Sequence, residues 1–124
     1  MPGAAKARRR AREQRQSCRH QLVKLASGSD EIAREGAVVL AMSIDTPEVE
    51  QRLAGELKLP FPLLSDPRMK VIRAYGMKGD AMDMADMGYV VVDRKGQIRT
   101  RQIDRLFGEN VGMIVRAVRD ARQR

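Results

Sequence analysis

One cysteine, one histidine and no tryptophan occur in these 124 residues. The lone cysteine, Cys18, excludes an intrachain disulfide and a cysteine-rich zinc site, and it fits a reducing compartment. Phe and Tyr contribute two residues each, so aromatics make up only 3% of the chain. The core must therefore come from Val, Ile, Leu, Met and Ala. No apolar stretch approaches the ~18 residues that cross a bilayer. The basic N-terminus lacks the apolar segment of a secretory signal. The expected location is the cytoplasm, with no membrane partner.

What is present suits one globular domain: 43% of the residues are hydrophobic, and the length suffices for a modest core. The formal charge of +8 is unevenly spread. Residues 1–20 carry seven Lys/Arg against one Glu, whereas the remaining 104 residues hold seventeen against fifteen. Residues 1–17 read as a basic N-terminal arm and residues 18–124 as the folded domain. Such an arm binds nucleic acid weakly and without sequence preference, if at all, because no aromatic stacking residues accompany the charge.

From Cys18 onward an apolar helical pattern runs through Leu22, Val23, Leu25 and Ala26, and "SGSD" at 27–30 is expected to weaken or break it. "AVVLAMSID" at 37–45 reads as a strand covered on both faces. In "TPEVEQRLAGELK", Thr46 is the expected N-cap, Pro47 opens the helix, and Glu48 and Glu50 sit near the positive end of its dipole. Val49, Leu53, Ala54 and Leu57 form the expected buried stripe. A short extended piece follows at 61–64. Asp66 caps a helix opened by Pro67 and ended by Gly76. Residues 77–86 read as a loop. "YVVVD", "RKG" and "QIRTRQI" read as strand, turn and strand, with Gly96 at positive φ. "DRLFGE" reads as a loop, and Asn110 caps a final helix through Val118. The order implies an α/β domain with a mixed sheet flanked by helices.

Four stretches in this order carry a resemblance: "CRHQL", "VVLAMSIDTPEV", "LPFPLLSDPRMKVIRAYGM" and "YVVVDRKGQIR". Over roughly residues 18–120 the chain resembles the thioredoxin-like fold. More narrowly, it is similar to the redoxin branch that contains the peroxiredoxins, the alkyl hydroperoxide reductase and thiol-specific antioxidant family. The resemblance implies a thiol-dependent antioxidant or oxidoreductase that reduces peroxides or disulfides through a cysteine thiolate. It makes Cys18 the catalytic residue and Arg15 and Arg19 its thiolate-stabilising neighbours. The implied partners are a small peroxide or disulfide and an external thiol or thioredoxin-type reductant. It implies no cofactor and no metal, and leaves a homo-oligomer open.

The chain departs from the family pattern at several places. Arg15 stands where relatives with Cys-x-x-Cys place the first thiol, and where the peroxiredoxin pattern places a hydroxyl. Met87 and Gly88 replace the residues that usually precede the hairpin strand. Residues 1–17 cannot supply the strand expected ahead of the cysteine helix, so the expectation is an N-terminally shortened or degenerate member lacking its first central strand. The alternative function is a non-catalytic redoxin-like remnant that binds a partner through its basic arm. His20 lies two helical residues from Cys18, too far round the helix to serve it as a base. Met77, Met82, Met84 and Met87 with Asp80, Asp83 and Asp86 mix soft and hard donors that suit no single metal. Asp45 and Asp93 end strands, where making turns is the usual task.

Overall fold

The computed structural model describes residues 2–79 and 85–123. Its first element, α1 (Pro2–Arg34), is a single helix of 33 residues, about 50 Å long. It runs unbroken through "SGSD". There Ser27 and Ser29 donate their hydroxyls back to the Lys24 and Ala26 carbonyls, so both side chains are satisfied inside the helix. A methyl on Gly28 would stand 2.9 Å from the Val111 side chain. The small residues that weaken the helix locally are what admit its neighbour, and packing outweighs propensity.

The βα unit forms as expected, though the strand is shorter. β1 (Ala41–Ser43) leads into α2 (Pro47–Leu57), whose Thr46 cap accepts from the Val49 N–H at 3.4 Å. β1 then pairs in parallel with β2 (Leu63–Ser65), Ala41 opposite Leu63. Residues 37–40 belong to no ladder, and Val38 and Leu40 stand 84% and 61% exposed. The expectation of a strand buried on both faces is corrected here: among the described residues β1 has a partner along one edge only.

α3 (Lys70–Ala74) begins three residues later than Pro67 suggested. The carboxylate of Asp66 accepts from the N–H groups of Lys70, Val71 and Ile72 at 2.8–3.0 Å. Those donors, rather than the proline ring, fix where the helix starts. The hairpin follows the sequence closely: β3 (Gly88–Val92) pairs antiparallel with β4 (Ile98–Ile103), and Gly96 takes φ 81° in the turn. Asp93 builds that turn, accepting from the Lys95 and Gln97 N–H groups and from Arg99 Nε.

The expected loop at 104–109 contains a 3-10 turn, Phe107–Glu109, with Phe107 and Gly108 buried. α4 (Val111–Arg122) closes the chain. Asn110 stands at its N-cap position but gives its side-chain amide to Asp104, so the expected side-chain cap is not made.

The parallel and antiparallel pairings of the expected mixed sheet are both present, as two two-stranded ladders. Residues of both ladders meet the same two cores. Ala41 and Tyr89 pack with Leu22, Leu25, Ile32, Phe61, Phe107 and Ile114, against α1 and α4. Met42 and Val90 pack with Met69, Ile72 and Met77 on the other side. Met77 and Met87 are core residues in this arrangement; Met82, Met84, Asp80 and Asp83 lie outside the described residues.

Candidate thiol site

Cys18 sits on α1 at the point where the helix first meets the core: the described side chains up to Gln16 are exposed, while Cys18 is half-buried and Gln21 and Leu22 are buried. The helix face that carries it was legible in the sequence. Its electrostatic setting was not.

The residues that act on the thiol come from the β1–α2 unit. Glu50, in the first turn of α2, is only 1% exposed. Ser43, the last residue of β1, donates its hydroxyl to Glu50 Oε1 and accepts from the Asp45 N–H at 3.3 Å. Glu50 Oε2 is enclosed and has no hydrogen-bond donor among the described residues. Burial pushes the Glu50 carboxyl above the usual range, with the Asp45 charge in the same direction and the Ser43 hydroxyl opposing. Burial first, then the charges of Glu50 and Asp45, push the Cys18 thiol up to about 11. All three influences favour the protonated thiol.

The two arginines named by the sequence stand differently. Arg19 directs its guanidinium to Glu56 on α2, at 3.2 Å and half-exposed to solvent. The side chain of Arg15 lies outside the described residues, although its backbone is part of α1. His20 is exposed. Asp45, read in the sequence as a turn-maker, is one of the two carboxylates that bear on the thiol.

Glu50 stands in the first turn of α2, as the sequence reading has it. The burial of the stripe is what differs: Val49, expected inside, is 44% exposed, and Glu50 is buried. The signal was available. Positions 50, 53, 54 and 57 follow the three- and four-residue spacing of one helix face, and Leu53, Ala54 and Leu57 are all partly buried. A carboxyl on an apolar stripe is a charge carried inward.

As it stands, the arrangement favours a neutral thiol, half-buried at the edge of the core. Among the described residues no group of three or more His, Cys, Asp or Glu gathers to hold a metal ion. Among the described residues no helix is long and apolar enough to cross a membrane.

Comparison with known proteins places this geometry in a family. The AhpC/TSA family matches residues 11–101. The chain is 34% identical over 84 residues to alkyl hydroperoxide reductase E of Mycobacterium tuberculosis, and equally to that of Mycobacterium bovis, an overlap covering 66% of this chain and 55% of theirs. It is 37% identical over 57 residues to a protein named putative peroxiredoxin in Entamoeba histolytica, covering 46% of this chain and 24% of that one. The chain thus spans about half the length of the mycobacterial relatives. With its α/β elements in the order that the four sequence stretches implied, the chain belongs to the AhpC/TSA family and has the thioredoxin-like fold of the peroxiredoxin-type redoxins.

Proposed function

We propose that the chain is a thiol-dependent peroxidase-type oxidoreductase that reduces hydroperoxides, or disulfides, through Cys18. The observation that supports it most is the seating of the sole cysteine against the core of an AhpC/TSA domain. The thiolate attacks the distal peroxide oxygen, the O–O bond breaks, and an alcohol or water leaves. Cys18 becomes a sulfenic acid. With no second cysteine in this sequence, a small external thiol or a thioredoxin-type protein completes the cycle. A reducing cytoplasm would supply either.

The test is hydroperoxide consumption with excess thiol, wild type against Cys18→Ser. Consumption above the background of the thiol alone, lost in Cys18→Ser, is the expected result. Equal rates for both proteins would refute it.

The raised thiol pKa favours a second reading: a non-catalytic redoxin-like domain that binds a partner through the basic first half of α1. Under it Cys18 is a packed residue, and Cys18→Ser leaves every activity of the protein unchanged.

A further inference from the structure

The half of α1 that stands ahead of the core is dense in positive charge. Residues 2–16 hold Lys6, Arg8, Arg9, Arg10, Arg12 and Arg15 against one carboxylate, Glu13. Every described side chain among residues 3–16 is exposed. The ion pair found there, Arg9 with Glu13 at 4.0 Å, lies open to solvent. Among the described residues no carboxylate stands within ion-pair distance of Lys6, Arg8 or Arg12. This charge works against its own helix. The first turn of α1 contains no acidic residue, cations near a helix N-terminus oppose the dipole, and like charges at positions 8 and 12 repel across one turn. Charge so placed is favoured by an anionic partner outside the chain.

The 3.6-residue repeat sorts these charges into rows. Positions 8, 12 and 15, four and three residues apart, share one flank of the helix. Positions 6 and 10 share another, and each lies two residues from a member of the first row, on the opposite side of the helix. Between the two rows run positions 4, 7 and 11, all of them alanine. A narrow alanine face is thus walled by cations on both sides. Residues 2–16 contain no apolar residue larger than proline and no aromatic. They lack the bulky side chains that enter the acyl region of a membrane and the rings that stack on unpaired bases.

We propose that the first half of α1 is a docking helix for double-stranded DNA, seated in the major groove with its alanine face toward the floor and one cationic row on the phosphates of each wall. This deepens the reading of α1 as a binding arm and holds whether or not Cys18 reacts. An α-helix about 10–12 Å across matches a groove about 12 Å wide. Residues 2–16 extend about 22 Å, enough to lie across it. A membrane or an acidic protein surface is flat on this scale: it would engage one row and leave the other in solvent. The major groove of duplex RNA is too deep and narrow to take a helix. Alanine offers no hydrogen bond to the base edges, so the docking is blind to sequence and rests on phosphate contacts.

The experiment is fluorescence anisotropy on the full chain with a mixed-sequence DNA duplex of about 20 base pairs, across a salt series. One of its strands alone, the matching RNA duplex, and vesicles of phosphatidylcholine and phosphatidylserine in equal parts are measured beside it. Two double variants remove one row each: Arg8→Gln with Arg12→Gln, and Lys6→Gln with Arg10→Gln. Glutamine keeps the helix propensity, and these positions precede the first core contact of α1. The DNA duplex should bind more tightly than the strand, the RNA or the vesicles. Each double variant should lose at least tenfold in affinity at low salt and lower the slope of log K against log salt by about two, because two phosphate contacts go with each row. A loss confined to one double variant would show a flat partner surface and overturn the proposal. Binding of the strand, the RNA or the vesicles as tight as that of the DNA duplex would overturn it too. Cys18→Ser should bind as wild type does, so this result and the hydroperoxide assay fail or succeed separately. A Cys18→Ser protein that no longer binds would place the contact outside the arm and refute the docking.

Discussion

The backbone N–H of Gly108 donates to Oε1 of Gln21 at 2.9 Å, in a buried contact between α1 and the 3-10 turn. A Cβ at Gly108 would stand 2.3 Å from the Gln21 carbonyl oxygen. The turn is therefore pressed directly against the helix backbone. Gln21→Leu leaves that amide buried and unpaired, which should cost about 1–3 kcal/mol. Gly108→Ala should cost at least as much, because both backbones must separate. Urea denaturation midpoints measure both, and values within about 0.5 kcal/mol of wild type would contradict the contact.

The thiol also makes stability depend on alkaline pH. Its pKa is raised from 9.0 to about 11 on folding, so the folded state holds the proton more tightly than the unfolded one. The stabilisation is fully present below about pH 9 and is lost as pH rises through about 11. Cys18→Ala should flatten this alkaline decline, as followed by thermal melting from neutral to strongly basic pH. A decline equally steep in the variant would assign it to other groups.

Acid acts on a different pair of elements. Glu35, just beyond α1, accepts from Arg119 at 2.6 Å and lies 3.3 Å from Arg122, both on α4. The hydrogen bond from Arg119 holds its carboxyl below the ordinary 4.5. A depressed folded pKa contributes stability above the unfolded value and loses it as pH falls through the folded one. Glu35→Gln should therefore lower the melting temperature near neutral pH and narrow the gap to wild type below about pH 4. A gap that persists unchanged in acid would contradict the ion pair.

The free edge of β1 bears on solubility. Among the described residues no strand pairs with that edge, and Val38 and Leu40 beside it are exposed. Unpaired apolar edges recruit further strands. Concentration-dependent self-association is the expected behaviour by sedimentation velocity, and Leu40→Lys should reduce it. A clean monomer at high concentration would contradict it.

The first half of α1 should bind nucleic acid weakly, without sequence preference and with steep salt dependence. Deleting residues 2–16 should abolish that binding, measured by fluorescence anisotropy across a salt series. Binding that survives the deletion, or is insensitive to salt, would exclude the arm as its source.

Local signals in the sequence located most elements. Thr46-Pro47 fixed the start of α2, Gly96 the hairpin turn, and the Val and Ile spacing α4. Three readings failed for non-local reasons. "SGSD" reads as a break by propensity, but its small residues let Val111 approach α1. Residues 37–40 have strand composition, but among the described residues no strand pairs with them. Asn110 has a cap's chemistry, yet Asp104 captures its amide. The site was legible only in part. Cys18 stands out as the single thiol, flanked in sequence by arginines, whereas its electrostatics are set by Glu50 and Asp45, more than twenty residues away and brought near only by folding.

The closure of α1 by α4 has a consequence for synthesis. The Glu35–Arg119 bond joins residues 84 apart and the Gln21–Gly108 bond residues 87 apart. A ribosome delivers the chain from its N-terminus. Leu22, Leu25 and Ile32 of α1 thus emerge well before their partners Phe107 and Ile114. Until α4 follows, part of the apolar stripe on the nascent helix lacks its cover, behind a segment rich in positive charge. Only when α4 has been made can the core close over α1.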